Sequence, residues 1–328
     1  MSNYRTLISA TLLACLTTGC GGGGGSGGGS NAASGDADIT ADNAPESAGD
    51  TVDGVMEPAE IGEFGDLLGL ASGAGLSGES LSKTASTMAM STLAKATPGG
   101  YMAAGGEFQL DCPVSGSAIV DVSIAKPDTL TRGDRFSFRF DNCDSGEGET
   151  IDGAVILRID AFSGDLPAET FAVDATLTFD RLSVDEGNET MIADGRIALS
   201  ADSMRYPRIS FSQSSDSFVV TEDGETIVLA DWVTQLTVNE SSFPAGYSLT
   251  GSGNIDVPRH GSVRYEFREP FAGFGDDHPD SGVLYIEGGN GGSILVTVLS
   301  NTQVQLEVDY DGGGVDETIT LTWEEFED

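Results

Sequence analysis

Residues 171–180 read FAVDATLTFD, and apolar side chains alternate along this stretch with polar or small ones. Successive side chains of a β-strand point to opposite faces, so a period of two places one face in a core and the other in water. Half-exposed strands of this kind are typical of antiparallel sheets, because the strands of buried parallel sheets are apolar throughout. The stretch therefore predicts an antiparallel strand. Four further stretches show the same alternation: Phe136–Phe140, Val263–Phe267, Val304–Tyr310 and Ile319–Trp323.

A short motif, an acidic glycine turn followed by Glu-Thr, links several of these strands. It occurs within residues 144–156, 185–199, 222–229 and 311–323. Gly and Asp supply the backbone conformations that tight turns need, and Thr with branched residues starts the next strand. The Glu-Thr pairs are 40, 36 and 92 residues apart, which is too irregular for the blades of a propeller. For residues 101–328 we therefore predict an all-β domain, an antiparallel meander of many strands that forms a sandwich or barrel.

The first twenty residues, MSNYRTLISATLLACLTTGC, have the composition of a leader. Their apolar stretch is too short to span a bilayer, which takes about 20 apolar residues. The residues Thr17-Thr18-Gly19-Cys20 resemble the lipobox of bacterial lipoproteins, in which a peptidase cuts before a diacylated cysteine. The resemblance implies a signal peptide at residues 1–19, lipidation of Cys20 and, because Gly21 rather than Asp follows, transfer to the outer membrane. Thr17 stands where that motif most often has Leu, so a plain secretory signal is the alternative.

Two segments separate the leader from the predicted β domain. Residues 20–58 begin with the lipidated Cys20 and the run GGGGGSGGGS, and continue with Asp, Ala and few large apolar groups. Such a composition buries too little surface to offset chain entropy, so we expect a disordered acidic stalk. In residues 59–100, Ile61, Phe64 and Leu67 fall on one helical face, but several glycines weaken the helix. We therefore expect a short, weakly helical N-terminal segment before the β domain.

The charge of the chain is strongly and unevenly acidic. It has 53 Asp and Glu against 15 Lys and Arg, for a formal net charge of −38. Because phosphate binding requires clustered Lys and Arg, this balance excludes a direct nucleic-acid partner. Residues 20–82 and 269–328 carry 11 and 14 acidic residues without a base. These runs indicate either solubility in a salty exterior or divalent-cation binding by clustered carboxylates.

Four cysteines bear on the compartment. If the lipobox resemblance holds, Cys15 would leave with the leader and Cys20 would carry lipid. Cys112 and Cys143 would then be the two remaining thiols of a protein in an oxidising compartment. We therefore predict a Cys112–Cys143 disulfide. The alternative, a redox pair, lacks the C-x-x-C spacing and the basic neighbours that lower a thiol pKa.

The segment DYDGGGVDETIT, residues 309–320, carries the strongest candidate for a metal site. Asp309 and Asp311 occupy positions one and three of a calcium loop, but Thr320 stands at position twelve, where a bidentate Glu is required. The segment therefore fails as an EF-hand. Two interpretations stay open: a plain hairpin turn, or a looser Ca²⁺ site formed by Asp309, Asp311 and Asp316.

Other groups of polar residues have weaker claims to chemistry. The set Asp141, Asp144, Glu147 and Glu149 allows the same two interpretations as the 309–320 segment. Residues 276–280, DDHPD, combine one imidazole with carboxylates, but no second His is near and Pro279 indicates a solvated surface loop. We interpret His260 as a turn residue rather than a catalytic base.

Motifs for catalysis do not emerge from the folded part of the sequence. The single G-x-S-x-G match, residues 24–28, lies in the glycine run, and the chain has no G-x-x-x-x-G-K, H-E-x-x-H or C-x-x-C. We therefore predict a non-enzymatic protein, a lipid-anchored interaction or structural module of the cell envelope, with Ca²⁺ as its single candidate cofactor. Its expected partners are the membrane, through the anchor, and an envelope protein or lipid ligand.

Two alternatives from other functional classes remain. The first is a carrier that holds a lipid or acyl chain in a β cavity. The second is a secreted polysaccharide hydrolase with paired carboxylates. The aromatic residues that either line the carrier's cavity or pack in a core are Phe136, Phe138, Phe140, Phe171 and Phe179.

Overall fold

The computed structural model describes residues 37–41, 43–60, 106–126, 129–144, 146, 149–165, 170–186, 189–222, 225–257, 261–275 and 277–327. Within these residues, two helices accompany fourteen strands. The helices are α1 at Ala44–Glu60 and α2 at Trp323–Glu327. The strands are β1 Gly106–Asp111, β2 Ser115–Ser123, β3 Arg135–Asp144, β4 Glu149–Asp165, β5 Thr170–Glu186, β6 Glu189–Arg205, β7 Arg208–Glu222, β8 Glu225–Asn239, β9 Gly246–Val257, β10 Gly261–Phe274, β11 Ser281–Glu287, β12 Ser293–Ser300, β13 Gln303–Asp309 and β14 Glu317–Thr322. Neither of these helices combines the length and apolar character needed to cross a membrane.

The fourteen strands form one antiparallel sheet in which each strand pairs with its neighbours in sequence. The predicted all-β antiparallel meander is therefore confirmed. We expected closure into a sandwich or barrel, but β1 and β14 are the two edges of the single sheet, which stays open. The expectation rested on the aggregation risk of exposed edges. Here both edge strands have six residues and carry acidic side chains, features that themselves discourage edge-to-edge pairing.

One face of the sheet forms the core. The alternation that predicted the strands is visible in the burial of β12 and β13, in which every second side chain is inaccessible to solvent. Buried side chains of β2 through β13 and of both helices belong to a single hydrophobic cluster. Because helices of 17 and 5 residues are too small to cover the inward side chains of twelve strands, the burial of that face requires the sheet to curl around it.

The turns of the meander explain the repeated sequence motif. Each Glu-Thr pair occupies the first two positions of a strand, β4, β6, β8 or β14. In a meander every second turn lies at the same end of the sheet, so the turns that precede these four strands share one end, which we call the acidic end. The intervals of 40 and 36 residues correspond to two long strands and their turns. The 92-residue interval covers the shorter strands from β8 to β13.

The expected stalk ends earlier than residue 58, which is a correction to the predicted organisation. Residues 44–60 form α1, and Ala44, Ala48, Val52 and Val55 on this helix are buried in the core. Their spacing places small apolar side chains on one helical face. We underestimated this face because it has no large apolar residue. Residues 1–36 and 61–105, which include the leader, the glycine run and most of the expected weak helix, lie outside the described residues.

Helix α1 lies on the inward face of the sheet, where it contacts β8, β9, β12 and α2. The chain enters this position at the acidic end. There the Ala37 amide donates to the Ser262 carbonyl of β10, and the Gly289 amide in the β11–β12 turn donates to the Ala37 carbonyl. The side chain of Asn290 in the same turn bridges to both the amide and the carbonyl of Ile39. The acidic end is therefore where the N-terminal part of the chain joins the domain.

The predicted disulfide is present. Cys112 follows β1 and Cys143 lies near the end of β3, with their Cα atoms 5.4 Å apart. The bond ties the edge of the sheet at the acidic end to the third strand. Because the side chains of β1 are largely exposed, the disulfide adds a covalent attachment to the pairing that joins this edge strand to β2.

Candidate functional site

Among the described residues, three carboxylates that lie close enough together to hold a metal ion are in the turn between β13 and β14. One side-chain oxygen each of Asp309, Asp311 and Asp316 lies within 4.8 Å of the other two. Asp309 is half-buried at the end of β13, whereas Asp311 and Asp316 are exposed. The structure therefore brings together the three residues that the sequence predicted. Their separation allows a single divalent cation to bridge them.

Backbone amides of the turn surround these carboxylates. The Asp309 Oδ1 atom accepts from the Gly312 amide at 2.7 Å and from the Asp311 amide at 3.2 Å, and Oδ2 accepts from the Gly314 amide at 2.9 Å. Asp316 Oδ2 accepts from the Tyr310 amide at 2.9 Å. These bonds close the turn by themselves. Gly312 has a φ of +80°, a conformation that a residue with a Cβ adopts at a cost.

The same bonds set the charge state of Asp309. Partial burial works to raise the pKa of this carboxyl, but the amides of Gly314, Asp311, Gly312 and Gly313 donate to the charged form and together lower it. Asp309 is thus held ionised, as both a turn-closing carboxylate and a cation ligand must be. The segment forms a hairpin turn, and Thr320 lies within β14, so an EF-hand geometry is not formed.

The second acidic set is not gathered in the same way. The Asp144 carboxylate accepts from the Gly146 amide at 2.9 Å, and Asp141 accepts from the Asn142 side chain at 3.1 Å. Each carboxylate thus serves its own local contact. Glu147 lies outside the described residues, and the described members of the set do not form a cation-sized group.

The loop at 277–280 is fixed to the core by contacts that the sequence did not predict. The His278 ring stacks on Trp323 of α2, with 5.0 Å between ring centroids and 6° between planes. The Tyr247 hydroxyl donates to the Asp277 carbonyl at 2.9 Å, and Pro279 is buried. Burial, followed by the charges of Asp280 and Asp277, raises the pKa of Tyr247, which keeps this donor protonated. Asp276 and His260 lie outside the described residues.

The aromatic residues of the carrier alternative pack in the core. All five are buried, and Phe179 packs against Phe218 with 5.3 Å between ring centroids. Contacts of this kind stabilise the fold by aromatic packing and area burial. The five residues are Phe136, Phe138, Phe140, Phe171 and Phe179.

A buried polar region on the inward face was missed from the sequence. Gln213 lies opposite Thr234 and Ser215 opposite Trp232 in the pairing of β7 with β8, and Tyr265 of β10 lies two strands away. Burial raises the pKa of Tyr265 to about 12. The signal in the sequence was the run of serines in β7, SFSQSSDS, which interrupts the apolar alternation.

Helix α1 contacts β8 and β9 beside this region and contributes two buried hydroxyls. The Thr51 hydroxyl donates to the Ser47 carbonyl at 2.6 Å. Gly253 of β9 lies between Trp232 and Tyr265, where a Cβ would stand 2.6 Å from the Trp232 Cβ. The glycine is therefore required for the close approach of these two aromatic side chains.

Cys20, the predicted lipidation site, lies outside the described residues. Comparisons with protein families, with curated proteins and with solved structures gave no match for this chain.

Proposed function

We propose that the chain is a lipid-anchored lipoprotein of the bacterial outer membrane whose β domain is a non-catalytic interaction or structural module. The observation that carries the proposal is the Cys112–Cys143 disulfide, which is compatible with an extracytoplasmic location. The resemblance of Thr17–Cys20 to a lipobox supports lipidation. Ala37 joins the domain at the acidic end, so the tether that follows Cys20 would attach the domain there.

The arrangement of polar side chains favours a non-catalytic role. Asp309 and Asp316 accept backbone amides of their own turn, and His278 stacks on Trp323. These three side chains, which the sequence offered for chemistry, thus make structural contacts within the described part of the chain. The carrier alternative depends on aromatic residues that pack in the core, so we do not propose a carrier function.

The anchor is tested by Cys20→Ala in cells supplied with a labelled fatty acid. We expect loss of the label and release of the protein from the membrane fraction, because the thioether that holds the diacylglycerol cannot form. Cys15→Ala is the matched control, since Cys15 would leave with the leader, and it should keep both label and location. Unchanged label in the Cys20→Ala protein would contradict the proposal.

Calcium binding at Asp309, Asp311 and Asp316 is a second, separate proposal, supported by the 4.8 Å grouping of the three carboxylates. Exposed sites with few ligands bind weakly, so we expect a Kd of about 10⁻⁴ to 10⁻³ M. Calorimetric titration of the full chain with Ca²⁺ measures it. Asp311→Asn with Asp316→Asn should abolish this heat, whereas Asp141→Asn with Asp144→Asn should leave it. Equal heats from both double variants would exclude this site.

A further inference from the structure

The end of the sheet opposite the acidic end presents exposed apolar side chains on successive turns. They are Met204 and Tyr206 at the β6–β7 turn, Phe243 at the β8–β9 turn, Phe274 at the β10–β11 turn and Leu299 at the β12–β13 turn. We call this set the aromatic end.

Strand register brings the β6–β7, β8–β9 and β10–β11 turns to the same level of the sheet. Arg205 of β6 pairs with Arg208 of β7, which pairs with Asn239 of β8. Asn239 pairs with Gly246 of β9, and Gly246 pairs with Phe274 of β10. Successive turns at one end are two strands apart, so their tips are spaced by about 10 Å. The aromatic end is therefore a row of projecting tips rather than scattered surface residues.

The exposure of the tips is unusual for such large apolar groups. Phe243 is fully exposed and Tyr206 is 67% exposed. Single exposed apolar residues are common on protein surfaces, but a row of them at one end of a sheet marks an interaction surface.

The charges around Tyr206 add a second feature. Arg205 and Arg208 stand directly opposite each other on either side of the turn, and both are exposed. Like charges that face each other across a strand pair are unfavourable for folding. Two opposed guanidinium groups beside an aromatic tip fit a partner that offers phosphate oxygens next to an apolar layer.

We propose that the aromatic end docks on the surface of a phospholipid bilayer, with the tips at the level of the headgroups. Aromatic residues favour that level, where a ring meets the acyl boundary and polar groups remain wet. A bilayer is fluid and accommodates tips at any spacing, whereas a rigid protein partner would need a matched pocket for each one. Four acidic residues lie at the same end as the two arginines, so its local charge is mixed and suits a zwitterionic surface rather than a strongly anionic one. They are Asp202, Glu240, Asp277 and Asp280.

The large negative charge of the chain does not oppose this docking. Strands β6 and β7 have 17 and 15 residues, and a strand of that length spans about 50 Å. The Debye length at physiological ionic strength is about 8 Å, so the acidic turns at the other end are screened from the bilayer. The contact does not depend on Cys20 and therefore goes beyond the proposed anchor. Because the tether would attach the domain at the acidic end, the docked bilayer would be the one that the aromatic end faces.

The test uses the full chain with Cys20→Ala, so that no acyl chain contributes to binding, and vesicles of phosphatidylcholine. Co-sedimentation should show saturable binding. Tyr206→Ser with Phe243→Ser should weaken the partition at least about tenfold, because two apolar tips no longer enter the headgroup layer. Val114→Ser with Val315→Ser is the matched control, since these residues are 65% and 59% exposed at the acidic end and should change binding less than twofold.

A second variant reports vesicle contact as a gain of fluorescence signal, which a misfolded protein would not give. In the Cys20→Ala chain, Phe243→Trp should add a fluorescence emission that shifts to the blue when vesicles are added, while the buried Trp232 and Trp323 do not respond. Absence of vesicle binding by the parent chain, or equal losses in the two double serine variants, would overturn the proposal. So would a dimer that dissociates on Phe243→Ser, because the occupant of the surface would then be a second copy.

Discussion

The same meander forms the acidic end and the aromatic end, but the turns at the two ends carry side chains of opposite character. At the acidic end, short glycine turns carry carboxylates that bind the backbone of their own turn, as at Asp309. At the aromatic end, Phe243 and Tyr206 project into solvent. Because alternate turns of a meander share an end, one chain can give each end its own chemistry without any change in the strands between them. The core residues therefore determine the fold, and the turn residues determine the chemistry of each end of the sheet.

Removing a buried aromatic ring near the aromatic end should have the largest effect on stability. Phe271 is inaccessible to solvent and packs edge-on against Phe267, with 4.9 Å between ring centroids. We expect Phe271→Ala to lower the free energy of unfolding by about 3–5 kcal/mol, through lost burial and the cavity that remains. Denaturant unfolding measures the change.

The neighbouring exposed ring provides the control for this prediction. Phe274 is on the same strand but 51% exposed. Phe274→Ala should change the free energy of unfolding by less than about 0.5 kcal/mol. Similar losses in the two variants would show that the aromatic end is part of the core, and the contrast between the two ends would fail.

Removing the disulfide should have a comparable or smaller effect on stability. Cys112 and Cys143 are 31 residues apart, and loop-closure entropy gives about 3–4 kcal/mol for a link of this length. We expect Cys112→Ser with Cys143→Ser to lower the free energy of unfolding by that amount. A reducing agent should destabilise the wild type to the same level and leave the double variant unchanged. An effect of the reducing agent on the double variant would contradict this explanation.

The disulfide also shows which features the sequence could predict. Counting cysteines against a predicted leader and an oxidising compartment was enough for Cys112 and Cys143, and period-two alternation was enough for the strands in which it occurs, such as β5 and β13. Helix α1 was not predicted because its buried face consists of Ala and Val, which carry little hydrophobic signal. The aromatic end could not be predicted either, since an exposed Phe243 has the same sequence signature as a buried Phe271. What separates the two is their distance from a turn, which depends on register.

A smaller effect is expected where the 277–280 loop meets α2. His278→Ala should lower the free energy of unfolding by about 0.5–1.5 kcal/mol, since the stacked contact with Trp323 is lost. His278→Phe, which keeps a ring at this position, should restore most of the loss. The emission of Trp323 should shift to the red in the alanine variant alone. If the free energy of unfolding falls equally in both variants, the stacked contact does not stabilise the loop.

The smallest effect concerns the pH dependence of the acidic end. Backbone amides outweigh partial burial and lower the pKa of Asp309 in the folded protein. A carboxyl with a depressed pKa stabilises the fold above its unfolded value of about 3.9, and this contribution is lost as the pH falls through the folded value. The gap in unfolding free energy between wild type and Asp309→Asn should therefore be constant from pH 7 to about pH 5 and shrink below pH 4. A difference in unfolding free energy that does not change with pH would show that the charge of Asp309 does not stabilise the turn. The glycines would then determine the conformation of the turn, and the carboxylates of the acidic end would be available to a partner.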